Sequence, residues 1–173
     1  MNFDPTVLRP DIIEHMPTLM RYAEASETIV EFGTAYGTST QALLRGRPRR
    51  LDTYDIEIPF NLEFLRERAA IEGVDFRFHL ESTVDTVINE TDLLFIDTWH
   101  IYSHLKKELT LHGNKAKKYI IMHDTENFKF GDHSGGPGLW PAIEEFLADN
   151  PNWSIKEHFT NNNGLTVLER KVT

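Results

Sequence analysis

The chain has 173 residues, enough for one domain with a sizeable core. Its 40% apolar and 26% charged residues are those of a globular protein, and a net charge of −9 repels polyanions and argues against broad nucleic-acid binding. There is no cysteine, so disulfides, thiolate metal sites and a cysteine nucleophile are excluded, and no apolar run approaches the roughly 20 residues that span a bilayer.

The first residues, "MNFDPTVLRPDIIEH", show no basic stretch followed by an apolar one. No secretory leader is expected, and a cytoplasmic setting is inferred. Pro10–Ala25 reads as a helix, with Ile12, Ile13, Met16, Leu19 and Met20 at helical spacing. Thr28–Phe32 is the first strand and Thr38–Arg45 the helix after it. The basic run Arg45–Arg50 reads as a solvated helix end and loop. Arg50–Tyr54 is a strand ending in Asp55, and "NLEFLRERAAIEG" is a helix capped by Gly73. Asp75–His79 is the third strand, with a short helix expected after Ser82.

"DLLFID" is a continuous apolar run, as in a central strand buried on both faces. "IYSHLKKELTLH" is a helix and "YIIMHD" a fifth strand. A loop from Thr125 to Pro137 carries three glycines, and "GLWPAIEEFLADN" is a helix. "WSIKEHFT" and "GLTVLER" are strands joined by "NNNG", whose Asn-Gly pair tolerates the positive φ of a hairpin turn. Strands alternating with helices predict an α/β fold: a mostly parallel sheet, helices on both faces, and an antiparallel C-terminal hairpin. Residues 1–27 would form an N-terminal helical segment and 28–173 the core of a single domain.

In such sheets ligands bind beyond the carboxyl ends of the strands. Those ends carry Glu31, Asp55, Glu81, Asp97 and Asp124. The stretch "IVEFGTAYGTST", Ile29 to Thr40, fails as a dinucleotide fingerprint because Ala35 and Thr38 stand where the second and third glycines belong. It has no lysine, so it is not a phosphate loop. Glu31 would repel a pyrophosphate but suits an ammonium, while the following helix N-terminus can accept a carboxylate. Asp55 follows by about 20 residues, where an acid grips a ribose diol. An amino acid joined to a ribose describes S-adenosylmethionine.

"VEFGTAYGTST", "YDIE", "HLEST", "DLLFIDTWHIYSHLKKEL" and "IIMHDT" resemble the class I S-adenosylmethionine-dependent methyltransferases. The nearest branch is that of macrocin O-methyltransferases and cephalosporin-hydroxylase-like proteins. The resemblance implies a Rossmann-like seven-stranded sheet in the order 3-2-1-4-5-7-6. It implies that Glu31, Gly33 and Gly37, with Thr34, Thr38 and Ser39 beside them, line the methionine moiety. Asp55 would bind the ribose, Glu81 and Ser82 would flank the adenine, and Asp97 would lie nearest the sulfonium.

The metal-dependent O-methyltransferases take ligands from the ends of strands four and five, here Asp97 and Asp124. His123 stands where the macrocin branch has a further acidic ligand. Imidazole disfavours Mg²⁺ and leaves Mn²⁺, Fe²⁺, Zn²⁺ or no metal open. In that branch the position of His100 is a general base, and an imidazole has the pKa for it. His104 is expected to face solvent, and His133 lies in the glycine-bearing loop. Phe128, Phe130 and Trp140 are candidates for stacking on an acceptor.

The expected activity is O-methylation of a small hydroxylated acceptor such as a sugar, with no nucleic-acid or membrane partner, and with metal assistance and self-association left open. Two alternatives stay open: a metal-dependent oxygenase or hydrolase built on Asp97, His100, His123 and Asp124, and a non-catalytic binding module.

Overall fold

The computed structural model describes residues 8–171, so residues 1–7 of the expected N-terminal segment lie outside the described residues. Seven strands form one sheet: β1 (Thr28–Phe32), β2 (Arg50–Asp55), β3 (Asp75–Leu80), β4 (Thr91–Ile96), β5 (Ala116–His123), β6 (Trp153–Phe159) and β7 (Leu165–Arg170). Their order is β3-β2-β1-β4-β5-β7-β6, with β1 to β5 parallel and β7 antiparallel to both β5 and β6. This is the order the resemblance implies. Among the described residues five α-helices cover the sheet: α1 (Met16–Glu24), α2 (Thr38–Arg45), α3 (Leu62–Glu72), α4 (Tyr102–His112) and α5 (Leu139–Asp149). No helix among the described residues is long and apolar enough to cross a membrane.

Period-two alternation places successive side chains on opposite faces of the sheet. Ile29, Leu93 and Phe95 join a core with Leu19 and Leu43 from α1 and α2. Val30, Phe32, Leu94 and Ile96 join a second core with Leu105 and Ile143 from α4 and α5. β1 and β4 are neighbours, and the chain leaves them in opposite directions across the sheet. A crevice opens beyond their carboxyl ends at this switch point.

Two expectations need correction. The helix expected over Pro10–Ala25 begins only at Met16, after a 3₁₀ turn at Ile13–His15. Pro17 sits in its first turn, where a missing N–H costs nothing, and a helix running through it would lose a hydrogen bond. The helix expected after Ser82 is a turn followed by irregular chain up to β4. Its β-branched residues Thr83, Val84, Thr86 and Val87 disfavour a helix, and the Thr83 hydroxyl is committed to Glu108 at 2.5 Å.

The hairpin turn follows its sequence. Asn162, Asn163 and Gly164 adopt φ of +48°, +68° and +91°, a region asparagine and glycine enter cheaply.

Candidate active site

The loop after β1 is held by close backbone packing. Gly33 has φ +89°, and its N–H donates to the Tyr54 carbonyl at 2.9 Å. A Cβ on Gly33 would fall on the carbonyl oxygen of Asp97, so only glycine lets this loop lie against the end of β4. Gly37, at φ +73°, forms the N-cap of α2. Asp55 secures the loop from β2: one carboxylate oxygen accepts the N–H groups of Thr34 and Ala35 at 2.9 and 2.8 Å. The other accepts the N–H of Glu57 at 3.1 Å. Carboxylate oxygens have about four acceptor sites in all, so capacity remains for one hydroxyl of a diol.

Glu31 is fully buried. Its oxygens accept the hydroxyls of Ser39 at 2.6 Å and Thr40 at 2.7 Å, tying β1 to the first turn of α2. Burial pushes its carboxyl up to about 7, against the pull of those hydrogen bonds.

Two cavities meet at the crevice. The larger, about 650 Å³, has apolar walls from Tyr54, Ile56, Val84 and Trp99, with Asp55 and Glu81 at its rim. Ser82 and His104 also line it. A buried carboxylate organises its floor. Glu108, fully buried on α4, accepts the hydroxyls of Thr83 and Thr98 and lies 3.2 Å from His104 Nε2.

The smaller cavity, about 230 Å³, is polar: Asp97, His100, His123 and Asp124 on one side, Arg9 and Asp11 on the other. The start of α2, at Thr38 and Ser39, also faces it. Gly33, Ala35, Asp97 and Thr98 line both cavities and form the junction.

Asp124 follows β5 in a left-handed conformation, φ +60°, uncommon outside glycine and costing roughly 1–2 kcal/mol. The turn brings its carboxylate back beside Asp97. His100 Nε2 lies 2.7 Å from Asp124 and 3.5 Å from Asp97. His123 Nδ1 lies 3.4 Å from Asp97 and 3.5 Å from Asp124. These spacings suit ion pairs, yet His100 Nε2, His123 Nδ1 and one Asp124 oxygen are buried without an aligned hydrogen bond.

Burial by itself lowers both imidazoles, but the adjoining carboxylates outweigh it, holding His100 up at about 9 and His123 up at about 11. The same imidazoles hold Asp97 and Asp124 below the usual carboxylate range, against burial. The four groups titrate as a set.

Asp97, His100 and Asp124 each present a ligand atom within 4.8 Å of the others, spacing that fits a metal ion. Buried polar atoms without an aligned hydrogen bond are open to a further ligand. The expected set of Asp97, His123 and Asp124 differs in its imidazole. His123 Nε2 faces the carbonyls of Asp11 and Asn162 at 3.1 Å each.

The loop of Thr125–Pro137 covers this side. Phe128 stacks on His100 at 4.6 Å between ring centres, and His133 is 5.6 Å from His100. Phe130 is exposed, and Trp140 packs against His158, so neither lines these cavities.

Sequence reading left Arg9, Asp11, Trp99 and Glu108 unassigned and placed His104 outward. Glu108 did carry a signal. The buried stripe of α4 is Leu105, Glu108, Leu109 and His112, and two polar residues on an apolar stripe mark a buried network. Arg9 carried none, because its cavity is assembled from distant segments.

The sequence matches no protein-family model and no curated protein. Solved structures do match. The O-methyltransferase TomG from Streptomyces achromogenes, involved in tomaymycin synthesis and solved with S-adenosylmethionine, is 19% identical with a TM-score of 0.65, over 92% of this chain and 80% of that one. An O-methyltransferase from Bacillus cereus, solved with S-adenosylhomocysteine, is 19% identical with a TM-score of 0.65, over 98% and 83%. Magnesium protoporphyrin IX methyltransferase from Synechocystis, also with S-adenosylhomocysteine, is 14% identical with a TM-score of 0.68, over 99% and 88%. The chain therefore has the fold of the class I S-adenosylmethionine-dependent methyltransferases.

Proposed function

We propose that the protein is an S-adenosylmethionine-dependent O-methyltransferase acting on a small hydroxylated acceptor such as a sugar, nearest in its motifs to the macrocin branch. The observation that carries this reading is the junction of the two cavities. A nucleoside fits the large apolar cavity, an amino acid the small polar one, and both open at Gly33, Ala35, Asp97 and Thr98. S-Adenosylmethionine supplies the methyl group when bound.

This chain's residues supply placement. Gly33 lets the backbone approach the cofactor, Asp55 faces the diol, and Tyr54, Ile56, Val84 and Trp99 exclude water from the base. Asp97, at the junction, places negative charge beside the sulfonium and ammonium. Holding the acceptor oxygen in line with the methyl accounts for most of what methyl transfer asks of a protein.

The acceptor's proton needs a destination. His100 is the imidazole beside Asp97 and Asp124, and its neutral form takes a proton at Nε2. The two carboxylates hold it protonated unless other positive charge offsets them. A divalent cation held by Asp97 and Asp124, with His100 as third neighbour, would supply that charge and lower the hydroxyl's pKa. An oxygenase is not proposed: the three ligand atoms that lie within 4.8 Å of one another come from one imidazole and two carboxylates, the reverse of the usual iron triad.

The test is calorimetric titration with S-adenosylmethionine, S-adenosylhomocysteine and NAD, with and without EDTA or Mn²⁺. Binding of the sulfonium and its demethylated product but not NAD is expected, followed by methyl transfer to a panel of sugars and phenols. Binding of NAD alone, or of none, overturns the reading.

A further inference from the structure

The larger cavity is lined mainly by apolar groups and acids, the smaller by hydroxyls, imidazoles and acids. Among the described residues, the larger has Asp55, Glu81 and Asp97 and no lysine or arginine. The smaller adds Asp11 and Asp124, and its one lysine or arginine is Arg9.

Arg9 is placed by structure on both sides. Its N–H donates to Thr38 Oγ1 at 3.1 Å, and its carbonyl accepts the N–H groups of Ile12 and Ile13. Its guanidinium lies over the Tyr36 ring, 4.6 Å from the centre, which orients the plane while leaving edge N–H groups available. The neighbouring carboxylate, Asp11, is 3.8 Å away and partly exposed, too loose to neutralise it. Thr38 and Ser39 bring the N-terminus of α2 to the same wall. The opposite wall carries Asp124 and His123, both more than nine-tenths buried, each with an unpartnered polar atom.

We propose that Arg9 binds the α-carboxylate of the cofactor's methionine moiety. This rests on the cofactor reading above and adds to it a residue and an orientation. A zwitterionic amino acid entering from the junction meets Asp97 first and Arg9 with the α2 N-terminus beyond it. The ammonium is matched by Asp97 and the carboxylate by Arg9. The reverse orientation would set a carboxylate against Asp97 and an ammonium against Arg9. An N-terminal segment far from the strand motifs thereby becomes part of the cofactor site.

The test varies both partners of the contact in the full chain. S-Adenosylhomocysteine carries the carboxylate; 5′-methylthioadenosine lacks the amino-acid end. Arg9→Gln is expected to weaken S-adenosylhomocysteine about tenfold or more, the loss of one charge-assisted hydrogen bond, and to leave 5′-methylthioadenosine unchanged. Arg9→Lys should recover part of the loss. Equal weakening of both ligands, or no change in either, overturns the assignment of Arg9 while leaving the cofactor reading standing. Failure of the wild-type protein to bind either ligand removes the cofactor reading and this proposal with it.

Discussion

Gly33 presses its Cα against the carbonyl of Asp97, and a single methyl group there would overlap that oxygen. The contact joins the end of β1 to the end of β4 and forms the junction of the two cavities. Gly33→Ala would meet both this clash and the cost of a side chain at φ +89°, roughly 1–2 kcal/mol before relaxation. The variant is expected to fold with a lower urea midpoint and to bind S-adenosylhomocysteine at least tenfold more weakly, since the loop must move away from Asp97. Wild-type affinity in Gly33→Ala would mean that the junction does not hold the cofactor.

Asp124 is the shared partner of His100 and His123. Asp124→Asn removes one of the two carboxylates that keep those imidazoles charged. Breaking a buried ion pair at one side typically costs about 3–5 kcal/mol, reduced here because Asp97 remains. Chemical denaturation should show a clear loss of stability at pH 7. If the cluster also holds a cation, Mn²⁺ should raise the melting temperature of the wild-type protein, EDTA should abolish the gain, and the Asp124→Asn variant should lose it. A melting temperature indifferent to Mn²⁺ and EDTA would remove the metal from the mechanism and leave His100 with the proton alone.

The fold was legible because its signals are local. Apolar runs, glycine caps and the "NNNG" turn each fix a few residues, and β1, α2 and α5 fall within a residue of expectation. β5 starts at Ala116, three residues before the apolar run: Ala116 already pairs with Thr91, while the exposed Lys117 and Lys118 lie at an irregularity in the ladder and read as loop. Of the site, the strand-end acids Asp55, Glu81, Asp97 and Asp124 were visible because topology sends strand ends to one crevice. Glu31 shows the limit of that rule. It points to the α2 face, where the hydroxyls of Ser39 and Thr40 take up its two oxygens. Arg9 and His104 depend on tertiary placement and had no local signature.

Glu31 gives a pH prediction. Its folded-state pKa, pushed up to about 7, lies above the ordinary 4.5. Between those values the folded state binds more protons than the unfolded, so this group's contribution to stability is greatest below about 4.5 and falls as pH rises through about 7. Glu31→Gln keeps an amide oxygen for Ser39 and removes the titration. Relative to wild type, the variant should gain on the order of 3 kcal/mol between pH 4.5 and pH 8, read from urea midpoints. Parallel pH profiles for the two proteins would show that Glu31 does not titrate in this range.

Glu108 extends the same logic to the larger cavity. It takes hydroxyls from the loops after β3 and β4 and faces His104, so one buried carboxylate fixes three lining residues. Glu108→Ala would leave Thr83, Thr98 and His104 without that acceptor, at about 1 kcal/mol or more for each buried donor that water cannot reach. Stability should fall by about 2–4 kcal/mol in urea. Glu108→Gln keeps the shape and one acceptor oxygen, and should lose less. The functional readout is 5′-methylthioadenosine, which occupies only the nucleoside cavity in the proposed arrangement. Its affinity should drop in Glu108→Ala and hold in Arg9→Gln. The opposite pattern, nucleoside affinity lost on changing Arg9 and kept on changing Glu108, would mean that the adenosine and methionine ends of the ligand are exchanged between the two cavities.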